Sequence, residues 1–136
     1  MDLAQGLDFL RSNHRAVLAT VRSDGTPQLS PIVAAVDDGG RVCISTREPS
    51  MKVRNVRRDP RVWLCAFTDD FFGDWVRLDG RATVVPLPEA MDGLVSLYRS
   101  VAGEHPDWDD YRAAMERERR VLLVIEVERV GPDRAG

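Results

Sequence analysis

Three hydroxyls, a guanidinium and an ammonium fall within eight residues of this chain: Ser45, Thr46, Arg47, Ser50 and Lys52, with Met51 just before the lysine. An apolar run precedes them and a helical pattern follows. A strand-to-helix step of this kind leaves backbone N–H groups unpaired and carries partial positive charge at the helix start. The hydroxyls can donate hydrogen bonds, and Arg47 and Lys52 add full charges. The chemistry is that of a cradle for a phosphate or carboxylate. Charge distribution singles out the same segment. From Arg47 to Arg61 six basic residues stand against two acids, while the remainder holds thirteen basic and twenty acidic residues. Of the 19 basic residues, Lys52 is the single lysine. Arg54, Arg57 and Arg58 also fit a solvated helix face whose guanidinia pair with acids elsewhere.

Other chemistries find less support. His14 and His105, the two histidines, lie in polar turns, and neither cysteine has a sequence neighbour that would hold it as a thiolate. No catalytic side chain is therefore assigned. Asp69-Asp70 and Asp107, Asp109 and Asp110 lack calcium-loop spacing, and no HExxH occurs, so no metal site is expected. Cys43 and Cys65 sit inside apolar runs and are read as buried, reduced core residues. A net charge of −3 argues against a nucleic-acid surface. No run approaches the roughly 18 to 20 apolar residues that cross a bilayer, and Met1-Asp2 does not begin a signal peptide, so a cytoplasmic protein with no membrane partner is expected. Trp63 reads as a core residue. Trp75 opens a strand beside Phe71-Phe72 and could wall a flat ring or a subunit interface.

The elements that position these groups follow from periodicity. The length of 136 residues suits one domain with one core. Leu3, Leu7, Phe9 and Leu10 recur at helical spacing. Arg15–Arg22 is β-prone and leads through Asp24-Gly25, a hairpin signal, into Gln28–Val36. Pro31 within that second strand cannot donate to a ladder, which places it at an edge, a bulge or a ligand contact. A turn at Asp37–Gly40 returns the chain as Arg41–Thr46, completing a meander. Ser50 is placed near the N-cap of a helix over Met51–Arg58. Strands over Arg61–Thr68, Trp75–Val85 and Arg120–Val130 and helices over Pro88–Val101 and Trp108–Arg117 complete the chain, with 131–136 expected to fray. The predicted fold is mainly β (α+β), a six-stranded antiparallel barrel with about four flanking helices. Nucleotide-binding parallel sheets are excluded by the missing strand–helix alternation and phosphate-loop motifs.

The stretch DGTPQLSPIVAAVDDGGRVCIST, followed by KVRNVRRDPRV, resembles the pyridoxamine phosphate oxidase-like proteins of the split β-barrel fold. LYRSVAGEHPDWDDYRAAM with RVLLVIEVERV is similar to their actinobacterial branch that uses the deazaflavin coenzyme F420. The resemblance spans Leu7 to Val130. It implies a homodimer with a cofactor in each of two interface grooves. It implies that Ser45, Thr46, Arg47, Ser50, Met51 and Lys52 surround the cofactor's phosphate and polyol, and that Ser30, Pro31, Ile32 and Val33 run along its ring through backbone groups. Trp75 would come from the partner subunit. Related sequences often carry Arg or Lys where this chain has Ser50, a loss of charge that Arg47 could offset. The implied activity is hydride transfer between F420 and an electron-poor small molecule, in which the cofactor carries the chemistry. The alternatives are an FMN-dependent oxidoreductase and a non-catalytic F420 or flavin carrier or sensor.

Overall fold

The computed structural model describes residues 1–133. Helix α1 (Leu3–Ser12) starts at a capping box, in which the Asp2 carboxylate accepts from the Gln5 amide and the Gln5 side chain accepts from the Asp2 N–H. Strands β1 (Arg15–Val21), β2 (Pro27–Val36) and β3 (Val42–Arg47) form the expected meander. Helix α2 (Met51–Arg58) leads to β4 (Arg61–Phe67) and β5 (Trp75–Val85). Helices α3 (Met91–Ala102) and α4 (Trp108–Arg117) then precede β6 (Arg120–Gly131). The strands close antiparallel in the order β1-β2-β3-β6-β5-β4. Closure pairs most of the sheet edges, with one exception that bears on the site.

That exception lies between β2 and β3. β1 pairs with β2 over seven residues and β3 with β6 over six, but β2 meets β3 only at Ala34–Val36. From Val33 back to Pro27, β2 has β1 on one side and no strand on the other. Pro31 stands in this unpaired stretch, where a missing N–H costs no ladder bond. The edge placement inferred for Pro31 is therefore the one found.

Alternation fills the barrel. Leu18, Ile44, Val62, Val76 and Leu123 point inward and are buried, each contributing roughly 1.5 to 3 kcal/mol of burial free energy. α1 adds Leu7 and Leu10 at the end near Gly40, and α2 adds Val53 and Val56 at the other. There Asn55, fully buried, donates to Thr20 Oγ1 at 3.0 Å and to Gln28 Oε1 at 3.1 Å. The β5–β6 register shifts between Asp79 and Gly80, where Glu128 is the extra residue on β6, and a side chain at Gly80 would stand 2.2 Å from the Glu126 carbonyl oxygen. A second core joins α3 and α4 to the outer face of β3 and β6 through Cys43, Leu94, Tyr111, Met115 and Leu122.

Several expectations change. Trp63 lies on the outer face of β4, half-buried with Arg61 over its ring, because β4 alternates and Val62 and Leu64 take the inward positions. Cys65 shares that outer face and is only half-buried, whereas Cys43 is buried as expected. The segment 87–90 is a turn, and α3 begins at Met91. Gly131 closes β6, opposite Arg77, and Asp133 accepts from the N-terminal ammonium at 3.0 Å. The rest of the tail expected to fray, 134–136, lies outside the described residues. No helix among the described residues is long and apolar enough to cross a membrane.

Candidate functional site

Where β2 and β3 part, a groove of about 540 Å³ opens on the barrel's outer face. Val17, Pro31, Ile32, Val33, Ser45 and Phe67 line it, so four of the residues predicted from sequence meet in one place. Register explains the grouping. Val17 opposes both Pro31 and Cys65, and Arg15 opposes Val33, which sets these side chains on one face. Ser30 opposes the inward-pointing Leu18 and does not line the groove.

Two residues beyond Ser45 the charge begins. Arg47 is exposed and opposes Arg120 across the β3–β6 pair, with its Nε donating to the Glu118 carbonyl at 3.4 Å. Lys52, in the first turn of α2, is half-buried, and burial together with the Arg120 guanidinium holds its ammonium below the usual lysine range. Among the described residues Lys52 has no carboxylate within ion-pair distance. Glu118 offsets Arg120 through a contact of 2.9 Å. Ser50 occupies the N-cap of α2, but its hydroxyl turns back to Thr46 Oγ1 at 3.3 Å and caps no helix N–H. The first amides of α2 therefore keep unspent donors beside Lys52. Met51 stands half-exposed at the same turn.

The remaining arginines divide. Arg57 pairs with Glu48, and Arg58 donates to the Val21 carbonyl at 2.7 Å and to Asn55 Oδ1 at 3.0 Å, so both are structural. Trp75 opposes Phe67 on β5 and does not line the groove of its own chain. Arg120, Phe67 and Arg15 were not singled out in the sequence. Arg120 lies more than sixty residues from Lys52 and reaches it only because β6 inserts beside β3, a pairing without any local signal. The histidines serve structure. His14 Nδ1 lies 2.9 Å from the Ala34 carbonyl oxygen. His105 Nδ1 accepts from the Asp107 N–H at 2.9 Å and its ring packs among Tyr98, Trp108 and Tyr111, so it is more enclosed than a surface histidine. Burial pushes the Cys43 thiol up to about 12, with Asp37 adding to the effect, which leaves it without nucleophilic character. No group of three metal-binding side chains occurs among the described residues.

An apolar slot beside an unpaired strand edge, next to a cluster of cations at a helix start, suits a flat ring carrying an anionic tail. Comparison with known proteins agrees at the level of family. Residues 4–132 match the family model described as pyridoxamine 5'-phosphate oxidase. A conserved hypothetical protein of Mycobacterium tuberculosis, Rv2991, is similar at 32% identity over 96% of this chain and 82% of its own, with a TM-score of 0.79. An F420 reductase shares the fold at 22% identity, with a TM-score of 0.73 over 91% of this chain and 94% of its own. General Stress Protein 26 of Bacillus anthracis also shares it, at 18% identity and a TM-score of 0.66 over 94% and 90%. With its six-stranded barrel parted between β2 and β3, this chain belongs to the pyridoxamine 5'-phosphate oxidase family of split barrels.

Proposed function

We propose that the protein is an F420-dependent oxidoreductase that works as a homodimer, passing a hydride between the deazaflavin and an electron-poor small molecule. The observation that carries this reading is the cationic cluster of Arg47, Lys52 and Arg120, whose lysine lacks an acidic partner, set against the apolar groove at the β2 edge. Like charges gathered without full compensation raise the free energy of the unliganded protein and lower it again when an anion arrives. One phosphodiester bearing glutamates, the tail of F420, matches several cations better than the single phosphate of FMN does. The resemblance of GEHPDWDDY and its flanks to the F420-using branch supports the same choice, as does the shared fold with an F420 reductase.

The geometry supports a division of labour. Lys52, Arg47 and the free amides of α2 hold the tail, with Ser45, Thr46, Ser50 and Met51 around it. The Ser30–Val33 edge of β2 offers backbone groups to the ring, and Val17, Val33 and Phe67 exclude water from it. F420, when bound, supplies the hydride chemistry, which accounts for the absence of any triad.

The dimer rests on a second observation. The outer face of β1, β2 and β4 carries Val17, Ala19, Leu29, Val33, Trp63 and Cys65, with Leu29 two-thirds exposed. A contiguous apolar face of this kind marks an association surface. Its continuity with the groove supports a cofactor held at the subunit interface, with Trp75 reaching the partner's groove.

Fluorescence titration of the apoprotein with F420 and with FMN tests the reading. Tighter binding of F420 by tenfold or more is expected, and preference for FMN overturns the choice of cofactor. Bound F420 without reduction of quinone, nitroaromatic or enone acceptors makes the protein a carrier instead.

A further inference from the structure

The groove continues into a second cavity of about 310 Å³, and the two share Arg15, Val33 and Phe67, so they form one trough. Its charged side chains are Arg15 and Asp69. His14, the other titratable group lining it, has Nδ1 set against the Ala34 carbonyl. Arg15 Nη1 meets Asp69 Oδ1 at 3.1 Å with both side chains largely in water, at 76% and 90% exposure. An ion pair this open contributes little and exchanges freely.

Asp69 belongs to the loop that also carries Phe71 and Phe72. Apart from this ion pair, the side-chain hydrogen bonds of residues 69–74 to other described residues stay within the loop and Thr68. The Phe67, Phe71 and Phe72 rings follow one another at centroid distances of 6.2 and 5.1 Å, running from the trough out to solvent. Phe72, at 92% exposure, packs on little in its own chain. A guanidinium whose partner is exchangeable, beside edge-on aromatic rings held on a short loop, is equipped for a planar molecule bearing a carboxylate. The rings would cover the plane, and Arg15 would take the carboxylate bidentately in place of Asp69. On β1, Arg15 is separated by β2 and by the opened gap between β2 and β3 from the β3 row that leads to the Arg47–Lys52–Arg120 cluster, so this guanidinium is left for a second anion.

We infer that Arg15 is the anchor for an acidic group on the hydride acceptor, that Asp69 holds its place in the unliganded protein, and that the acceptors are flat aromatic or conjugated carboxylates. The inference rests on the proposed oxidoreductase reading and names the acceptor class for the same site. The probes are 4-nitrobenzoate and its uncharged methyl ester, with affinities measured by equilibrium dialysis on the full chain after its titration with F420 and FMN. The wild type binds the carboxylate at least fivefold more tightly than the ester. Arg15→Gln abolishes that ratio, Arg15→Lys keeps part of it, and Asp69→Asn raises carboxylate affinity two- to fivefold by removing the competitor. A wild type indifferent to the charge, or Arg15→Gln with the ratio intact, overturns the inference. So does a loss of cofactor affinity in Arg15→Gln, which would place the guanidinium on the cofactor. Failure of the wild type to bind either cofactor overturns the oxidoreductase reading alone, because the carboxylate ratio is still read on the same protein.

Discussion

Lys52 shows how one side chain can be costly alone and useful in company. Burial and Arg120 lower its proton affinity in the folded chain relative to the unfolded one. A lysine depressed in this way opposes folding while it is charged in both states, and the opposition fades as pH rises through the folded value toward the unfolded one. Unliganded protein is therefore expected to gain stability on the alkaline side, and Lys52→Met is expected to flatten that gain while leaving Tm at neutral pH unchanged or a few degrees higher. Thermal melts at stepped pH read this. The same site should lose ligand: Lys52→Ala weakens F420 binding more than tenfold, in line with a charged contact of about 1.5 to 3 kcal/mol. Unchanged affinity in a direct titration removes Lys52 from the cradle. Asn55 is the contrasting case, a buried amide at full use. Asn55→Ala leaves the Thr20 hydroxyl buried without its donor and is expected to cost about 2 to 3 kcal/mol in denaturant unfolding.

Elements decide where such residues can act. The β2–β3 pairing stops after Val36, Ala35 and Ala34, and the groove is the consequence. Proline and hairpin chemistry marked this strand as unusual in the sequence, but the end of β2 far from its β3 pairing is tied to α2. That helix buries Val53, Asn55 and Val56 in the end of the barrel, and Asn55 holds Gln28 of β2. Gly80 performs a related service on β5. Its missing side chain lets the strand pass close to the Glu126 carbonyl beside the β6 bulge at Glu128, so Gly80→Ala, which sets a methyl 2.2 Å from that oxygen, is expected to destabilise the fold by about 3 kcal/mol or more. A Tm unchanged by this variant would show that β5 and β6 can shift register without loss.

At the scale of the molecule, the outer apolar face and the incomplete groove point the same way. One barrel offers a floor, a cationic end and an open side. A second copy across the Leu29–Val17–Trp63 face would close that side. Light scattering is expected to give a mass of twice 15.2 kDa. Leu29→Glu with Trp63→Glu, both outside the groove lining, is expected to give a folded monomer that has lost cofactor affinity by tenfold or more. A monomeric wild type that still binds cofactor tightly would sink the shared-groove arrangement.

Strand and helix positions were legible because they rest on local facts: apolar, β-prone runs in β1 and β4, period-two alternation in β5, Asp-Gly and Gly-Gly turns, and the apolar spacing of α1 and α2. The Ser45–Lys52 segment could be singled out as a candidate cradle because its members are neighbours in the chain. Which face of an outer strand is covered was not, and Trp63 was misplaced for that reason, since an alternating strand of a barrel has an apolar outer side when something else packs on it. Arg15, Phe67 and Arg120 were equally hidden. Each becomes part of the site through pairing between strands far apart in sequence, and cross-strand register is set by the whole closed sheet, not by any segment of it.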